Sequence, residues 1–449
     1  MARPSYLAAA LVSLVACSKP NPETDSQAPV LPAKVAPPPG PAEPAKPPPP
    51  SPKRPYNVIL IIIDAMRADM PWNGYKRDIM PWLTRFQAEH CVTYTQGYSI
   101  SSYTAKSVVP ALVGKYPSEM VRDGYFFTKW PDKDNLFVTE RLQKAGHRTL
   151  SGQAHGYFLP ALGNNQGYDD YRLVSGNIDL KAVTSVTDDK LAALAKDMLS
   201  TPENVRQDEG QRFFAYFHFM DPHHTYERHP GHPDFGKSPR DMYDHELHWT
   251  DHWVGTLVDW ARTQPWSEQT AFLFMGDHGE GFGEHGQYRH AYELWESLVK
   301  VPMMFCVPEA SAKKLEVRRS QIDLAPTIAD LMGLDKPDPP FRGRSLVSEI
   351  FGAEEPERPI VVDLPRCDLM DRRRGIIVDG WKLLAFGDDA AYNLYDLNRD
   401  PWEKQELSKS EVDRFENMKA KYAEISATIP NVPVVGGAPL KGAPKGRRW

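Results

Sequence analysis

Three stretches of the chain place side chains that bind metal or phosphate directly after a buried-looking apolar run. Asn57 to Ile63 (NVILIII) ends in Asp64, followed by Ala65-Met66-Arg67-Ala68-Asp69. Phe213 to Phe219 (FFAYFHF) carries His218 and runs into Asp221-Pro222-His223-His224. Ala271 to Met275 (AFLFM) runs into Gly276-Asp277-His278-Gly279-Glu280, and His290 follows twelve residues after His278. Adjacent Asp and His between two glycines suit a hard-to-borderline cation such as Mn²⁺ or Zn²⁺. Histidine use is lopsided, with eleven of the 14 between His218 and His290. For His229, His232, His245, His248 and His252 the expected setting is solvated loop and helix. Asp244 and His248, four apart, could still share a cation on one helix face.

These groups need a frame that brings strand ends together. The three apolar runs are continuous and β-branched or aromatic, the pattern of parallel strands buried on both faces. Val301 to Val307 reads as a further strand. Tyr243 to Thr263 has helical spacing through Leu247, Val254, Leu257 and Val258. Glu140 to Ala145 ends a helix, with Gly146 as its stop. Alternation of this kind predicts an α/β fold, an open sheet covered by helices, with ligands outside the carboxyl ends of its strands. From about residue 356 the texture changes to short, turn-separated runs: 359–362, 375–378, 381–386 and 392–397. They predict a small antiparallel sheet, followed by a helix over about 411–425.

The chain has 449 residues, a formal net charge of −6 and four cysteines. There is core enough for one large domain, no basic field for nucleic acid, and no disulfide-dense scaffold. The N-terminus reads as an address. Arg3 and the short apolar run Tyr6 to Ala16 form a secretory signal, and Leu14-Val15-Ala16-Cys17 resembles a bacterial lipobox with Cys17 as the lipidated residue. Three cysteines then remain, Cys91, Cys306 and Cys367. An odd number predicts no disulfide framework, with Cys306 a core residue. Fifteen of the 42 prolines lie between Pro20 and Pro55, so this stretch predicts an extended linker reaching roughly 100 Å. Beyond the signal no apolar run reaches the roughly 18 residues of a membrane span.

The resemblance becomes specific when the motifs are taken in order. NVILIIIDAMRAD (Asn57–Asp69), TAKSVVPALVGKYPSE (Thr104–Glu119), FHFMDPHHTY (Phe217–Tyr226), GDHGEGFGEHG (Gly276–Gly286), IDLAPTIADLMGL (Ile322–Leu334) and LYDLNRDPWEKQEL (Leu394–Leu407) resemble the sulfatase branch of the alkaline phosphatase superfamily. The resemblance implies a mixed, mostly parallel sheet between helices, with a small C-terminal antiparallel sheet plus helix. The expected divisions are a signal at 1–16, the lipidated Cys and linker at 17–55, a catalytic domain at 56–352, a C-terminal subdomain at 353–428 and a disordered tail at 429–449.

By similarity, Asp64, Thr104, Asp277 and His278 are metal ligands for one or two divalent ions (Mn, Zn, Ca or Mg). Thr104, ten residues before the turn glycine Gly114, occupies the nucleophile position. His218 and His223 are candidates to protonate the leaving oxygen. His218, His223 and His290 match positions that hold the substrate's anionic group or a second metal, and Lys106 and Arg67 are further candidates for substrate contact. True sulfatases carry Cys or Ser followed by x-Pro-x-Arg, and oxidise it to formylglycine. Here Thr104-Ala105-Lys106-Ser107-Val108 stands there, and a threonine cannot give that aldehyde. Ala65 also replaces a second aspartate. Threonine instead resembles phosphoethanolamine transferases and phosphodiesterases of the superfamily, as does the His278-to-His290 spacing. Pro110 inside the helix that Thr104 opens predicts a kink.

The expectation is a metal-dependent hydrolase or transferase of phosphate esters acting on a small-molecule, glycan or lipid ester. Its expected place is the cell envelope, at the outer membrane or periplasmic face, held by its lipid. The alternatives are a sulfuric ester hydrolase without formylglycine, and a binding lipoprotein that kept the fold. Oligomeric state is not legible.

Overall fold

The computed structural model describes residues 55–131, 134–174, 186–207, 210–334, 337–434 and 436. The expected signal segment, Cys17, the expected linker up to residue 54 and all but residue 436 of the expected tail beyond 434 lie outside the described residues. Among the described residues no helix is long and apolar enough to cross a membrane.

Among the described residues there are fourteen strands: β1 (Asn57–Ile63), β2 (Val92–Tyr94), β3 (Gly97–Tyr98), β4 (Arg148–Gln153), β5 (Asp170–Leu173), β6 (Phe213–Phe219), β7 (Thr270–Gly276), β8 (Met303–Cys306), β9 (Lys313–Leu315), β10 (Arg319–Ser320), β11 (Ile360–Leu364), β12 (Arg373–Val378), β13 (Trp381–Phe386) and β14 (Ala391–Asp396). Eight form one sheet in the order β5-β4-β6-β1-β7-β8-β2-β9. The pairs from β5 to β7 are parallel, whereas β8 runs antiparallel to both β7 and β2. Every residue of β1, β6 and β7 is buried. Each large side chain so buried contributes about 1.5–3 kcal/mol, which sets the register firmly. In that register Ile63 stands opposite both Phe219 and Gly276. The carboxyl ends of three central strands therefore open onto one edge.

Helices cover the sheet: α1 (Pro81–His90), α2 (Thr104–Val113), α3 (Val138–Lys144), α4 (Asp188–Ser200), α5 (Pro239–Ala261), α6 (Glu296–Val299), α7 (Leu324–Leu331) and α8 (Val347–Ile350). The α5 helix starts on a capping box, Ser238 Oγ accepting from the Asp241 N–H and Asp241 Oδ2 from the Ser238 N–H. The α2 helix carries Pro110 in its second turn and runs on through it. It stops at Gly114, whose φ of 71° suits a residue without Cβ. The four-stranded C-terminal sheet, β11 to β14, is an antiparallel meander. Helix α9 (Val412–Ala427) packs Met418 and Tyr422 on one of its faces. Its other face meets Tyr98, Leu294, Leu298 and Val299 of the larger sheet's surroundings.

Cys91 and Cys306 form a disulfide, which overturns the expectation of none. Val92 pairs with Phe305 across β2 and β8, so Cys91 and Cys306 occupy the next rung of the same antiparallel ladder. An odd cysteine count says only that one thiol is left over. That thiol is Cys367, which is buried.

Candidate active site

Asp64 follows β1, Asp277 and His278 follow β7, and Thr104 is the first residue of α2. All four are fully buried. Ligand atoms of Asp64, Asp277 and His278 lie within 4.8 Å of one another. Thr104 Oγ1 sits between them, 3.2 Å from Asp64 Oδ2 and 3.1 Å from His278 Nε2. The His278 Nδ1–H donates to the Gly279 carbonyl at 2.8 Å, which leaves the lone pair on Nε2, facing the threonine. Asp277 Oδ1 accepts from the backbone N–H groups of Ala65 and His278 at 3.1 and 2.9 Å. One oxygen of each carboxylate, Asp64 Oδ1 and Asp277 Oδ2, is buried without a hydrogen-bond partner. Two orphaned carboxylate oxygens beside an imidazole lone pair fit a divalent cation, since buried acceptors otherwise carry the full desolvation cost.

Charge in the cluster is unevenly shared. Burial acts to raise both carboxyls. For Asp64 the hydrogen bond from His218 and the fields of His223 and His278 outweigh it and hold the group far below the usual range. For Asp277 burial prevails, reinforced by the charge of Asp64, and the group is pushed up.

Histidines ring this centre. His218, near the end of β6, has Nε2 at 3.3 Å from Asp64 Oδ2 and Nδ1 at 2.6 Å from the Tyr216 hydroxyl. His223, on the turn after β6, donates Nδ1–H to the His224 carbonyl at 2.7 Å. Burial brings its imidazole down to about 4. The His290 ring centre lies 4.2 Å from that of His278, the two rings tilted by 33°, and 5.5 Å from that of His223, edge to face. Glu280 Oε1 accepts from His290 Nδ1, and Glu280 Oε2 accepts from the Tyr226 hydroxyl at 2.7 Å. Burial alone would raise the Glu280 carboxyl, but His290 and these hydrogen bonds bring it down to about 2.

The family assignment now has its geometry. A family model described as Sulfatase matches residues 56–334. The chain belongs to the sulfatase family. A second model, for the C-terminal part of N-sulphoglucosamine sulphohydrolase, matches residues 283–427. Choline-sulfatase of Rhizobium meliloti (strain 1021) is 29% identical over 202 residues, 42% of this chain and 38% of that protein. Phosphatidylethanolamine transferase Mcr-2 of Escherichia coli is 26% identical over 260 residues, 53% of this chain and 45% of that one. The match thus spans less than half the length of either relative. Among solved structures, Ps i-CgsB, also solved in complex with k-i-k-neocarrahexaose, superposes with a TM-score of 0.69 at 19% identity over 84% of this chain and 94% of its own. The phosphonate monoester hydrolase SpPMH from Silicibacter pomeroyi gives 0.67 at 18% identity, over 84% and 96%. These likenesses establish the fold.

Within this sulfatase-family frame the two sequence candidates for substrate contact, Arg67 and Lys106, are held among side chains of the protein itself. Arg67 is saturated: it pairs with Asp69 and Glu284, each at 2.8 Å, and donates to the Glu280 carbonyl at 2.6 Å. Its guanidinium lies over the rings of Phe282 and Trp402. It fastens the 280–284 segment to the first strand's loop. Lys106 is buried with its ammonium 5.5 and 5.3 Å from the ring centres of Tyr103 and Phe126, and without a hydrogen-bond partner. Burial lowers its pKa. Asp244 is also taken, by Tyr75, Arg77 and Arg240, so it shares no cation with His248.

Other site residues were not singled out from sequence. His155, two residues past β4, stands 5.6 Å ring to ring from His223 and is brought down to about 4 by burial and by His223. Tyr157 packs on both histidines and on Phe127, which continues through Phe126 to Tyr292. Glu280 lay inside a quoted motif, and His155 obeys the strand-end rule. The polar sequence of β4 (RTLSGQ) hid that strand, and with it the end that His155 follows.

Proposed function

We propose that the protein is a metal-dependent hydrolase or transferase of phosphate esters with Thr104 as its nucleophile. The observation that carries this reading is the Thr104 hydroxyl, at the N-terminus of α2, within hydrogen-bond reach of both Asp64 and His278. A divalent cation on Asp64, Asp277 and His278 would lower the pKa of that hydroxyl and offset charge on the phosphoryl oxygens. The threonine oxygen attacks phosphorus and the bond to the alcohol breaks opposite it, leaving a phosphothreonine. Backbone N–H groups in the first turn of α2 favour the bound anion. His290, beside the cluster and held protonated more tightly by Glu280 against its own burial, is the group suited to give the departing oxygen its proton. Water or a second alcohol then attacks phosphorus and frees Thr104.

The alcohol half of the substrate meets the aromatic wall of Tyr157, Phe127, Phe126 and Tyr292, of which Phe127 and Tyr292 are exposed. Such a wall suits the apolar face of a sugar ring or a lipid headgroup ester. Export and lipid anchoring through Cys17 rest on the N-terminal sequence, and the Cys91–Cys306 disulfide supports an oxidising compartment. Sulfate ester hydrolysis by the same threonine is the second reading, favoured by the likeness to choline-sulfatase.

The test compares wild type and Thr104→Ala on an aryl phosphodiester, an aryl phosphate and an aryl sulfate, with Mn²⁺ or Zn²⁺. Phosphoester turnover that falls by at least about 10³-fold in the variant, with a phosphoryl adduct trapped only on wild type, is the expected result. Sulfate turnover alone moves the conclusion to the second reading. Turnover that survives the substitution overturns the role of Thr104.

A further inference from the structure

A cavity of about 320 Å³ lies apart from the catalytic cluster, and none of Asp64, Thr104, Asp277, His278 or the surrounding histidines lines it. Its wall comes from the loop after β1, the turn between β2 and β3, the α6 helix with Lys300 just beyond it, and the loop after β14. Most of its charged groups are spent. Arg67 pairs with Asp69 and Glu284. Glu296 accepts from Lys382 at 2.9 Å and from the Tyr98 hydroxyl at 3.0 Å. Lys300 is the exception. Its side chain is only partly exposed, and among the described residues its ammonium has neither a hydrogen bond nor an ion pair. Burial lowers its pKa against the charge of Glu296, and Arg318 and Lys382 deepen the fall. A charge withdrawn from water without a contact partner is costly, and an anion in the cavity would offset that cost. Two neutral groups on the same wall are also unspent. The side-chain amide of Gln96 and the hydroxyl of Ser297 make no hydrogen bond among the described residues.

We propose that this cavity is an accessory binding site for a monoanionic, hydroxylated small molecule of the acidic-monosaccharide class, with its anionic group paired to Lys300. The volume falls at the lower end of the range of small-molecule sites, and is far more than an inorganic anion needs. A single unpaired cation suits one negative charge. A dianion would set its second charge against Asp69 and Glu296, which also line the wall. Gln96 and Ser297 offer donors and acceptors to hydroxyl groups. Trp402, partly exposed, gives the C–H face of a ring an apolar surface to lie on.

The site touches the catalytic frame at one point. Arg67 lines the cavity and donates to the Glu280 carbonyl. An occupant therefore rests against the residue that fastens the 280–284 segment, without sharing a group with the metal cluster.

The test titrates full-length protein in chelator with glucuronate by calorimetry, with glucose as the neutral control. Wild type is compared with Lys300→Gln, Lys300→Arg, Trp402→Ala and His290→Asn. The expected result is one glucuronate per chain, bound about tenfold or more weakly by Lys300→Gln and weakened in Trp402→Ala. Lys300→Arg should keep the binding, which separates a lost charge from a disturbed fold, and His290→Asn should leave it unchanged. Glucose should bind wild type no better than glucuronate binds Lys300→Gln. Wild type that takes up no glucuronate, or equal binding in Lys300→Gln, overturns the site. Binding lost in His290→Asn but kept in Lys300→Gln overturns it too, by placing the sugar at the catalytic centre. Neither ester nor metal enters the titration, so failure of the Thr104 chemistry leaves its result untouched.

Discussion

Glu280 Oε1 lies 3.2 Å from Nδ1 of His290, with Glu280 fully buried and His290 nearly so. The carboxylate accepts a hydrogen bond from Nδ1–H and so decides which ring nitrogen is left for chemistry. Glu280→Gln keeps the volume and an acceptor oxygen but removes the charge. The expected outcome is a fall of about 10–100-fold in kcat on an aryl phosphate, with little change in thermal stability. His290→Asn in the same background should cost little more, because both changes disable one unit. Full activity in the glutamine variant would detach Glu280 from the reaction.

Asp64 and Asp277 carry orphaned oxygens in one buried cluster, and the charge of Asp64 helps push Asp277 up. Asp277→Asn relieves that repulsion and removes a ligand. In chelator the variant should melt at or above the wild-type temperature. Added Mn²⁺ or Zn²⁺ should raise the melting temperature of wild type only, since an ion that binds the folded state stabilises it by mass action. A variant still stabilised by the ion would place the metal elsewhere.

Cys91 and Cys306 join strands whose bonded residues lie 215 positions apart in sequence. Cys91→Ser/Cys306→Ser should lose about 2–5 kcal/mol of unfolding free energy, read from urea denaturation without reductant. The two proteins should converge when reductant is added to both. A gap that persists under reductant would assign the loss to packing.

Lys382 of β13 meets two buried carboxylates, Glu296 at 2.9 Å and Glu403 at 2.7 Å. Burial pushes Glu403 up to about 7 against the pull of Lys382, with the charge of Glu296 reinforcing the rise. A group whose folded pKa is raised binds its proton more tightly in the folded state. Its contribution is full below the unfolded value of about 4.3 and is lost as pH rises through about 7. Wild type should therefore lose stability between about pH 5 and 8 relative to Glu403→Gln. Parallel pH profiles for the two proteins would contradict this assignment.

The buried strands were the most legible part of the chain. The apolar runs at 57–63 and 213–219 coincide with β1 and β6, and the helix expected at 243–263 is α5, observed at 239–261. Strand-end chemistry was legible for the same reason, because Asp64, His218 and Asp277 each adjoin or sit within an unmistakable strand. The short elements were not: β4 reads as polar, and β2 is three residues long. The disulfide depends on β2 meeting β8, a pairing that no local pattern encodes. Lys106 and Arg67 were placed by offset from a motif. Their neighbours in space, Tyr103, Phe126, Asp69 and Glu284, decide what they do.

The bond between Cys91 and Cys306 also closes the chain into a covalent ring. Thr104, His218, His223, Asp277, His278 and His290 all lie inside it, and only Asp64 of the central cluster lies outside. A protease that cuts once between residues 91 and 306 therefore opens the ring without releasing a fragment. The clipped molecule keeps its mass apart from one added water, and its two pieces part on a gel only after reduction. The loops around the centre are thus free to be long and exposed without putting the site's integrity at the mercy of a single nick.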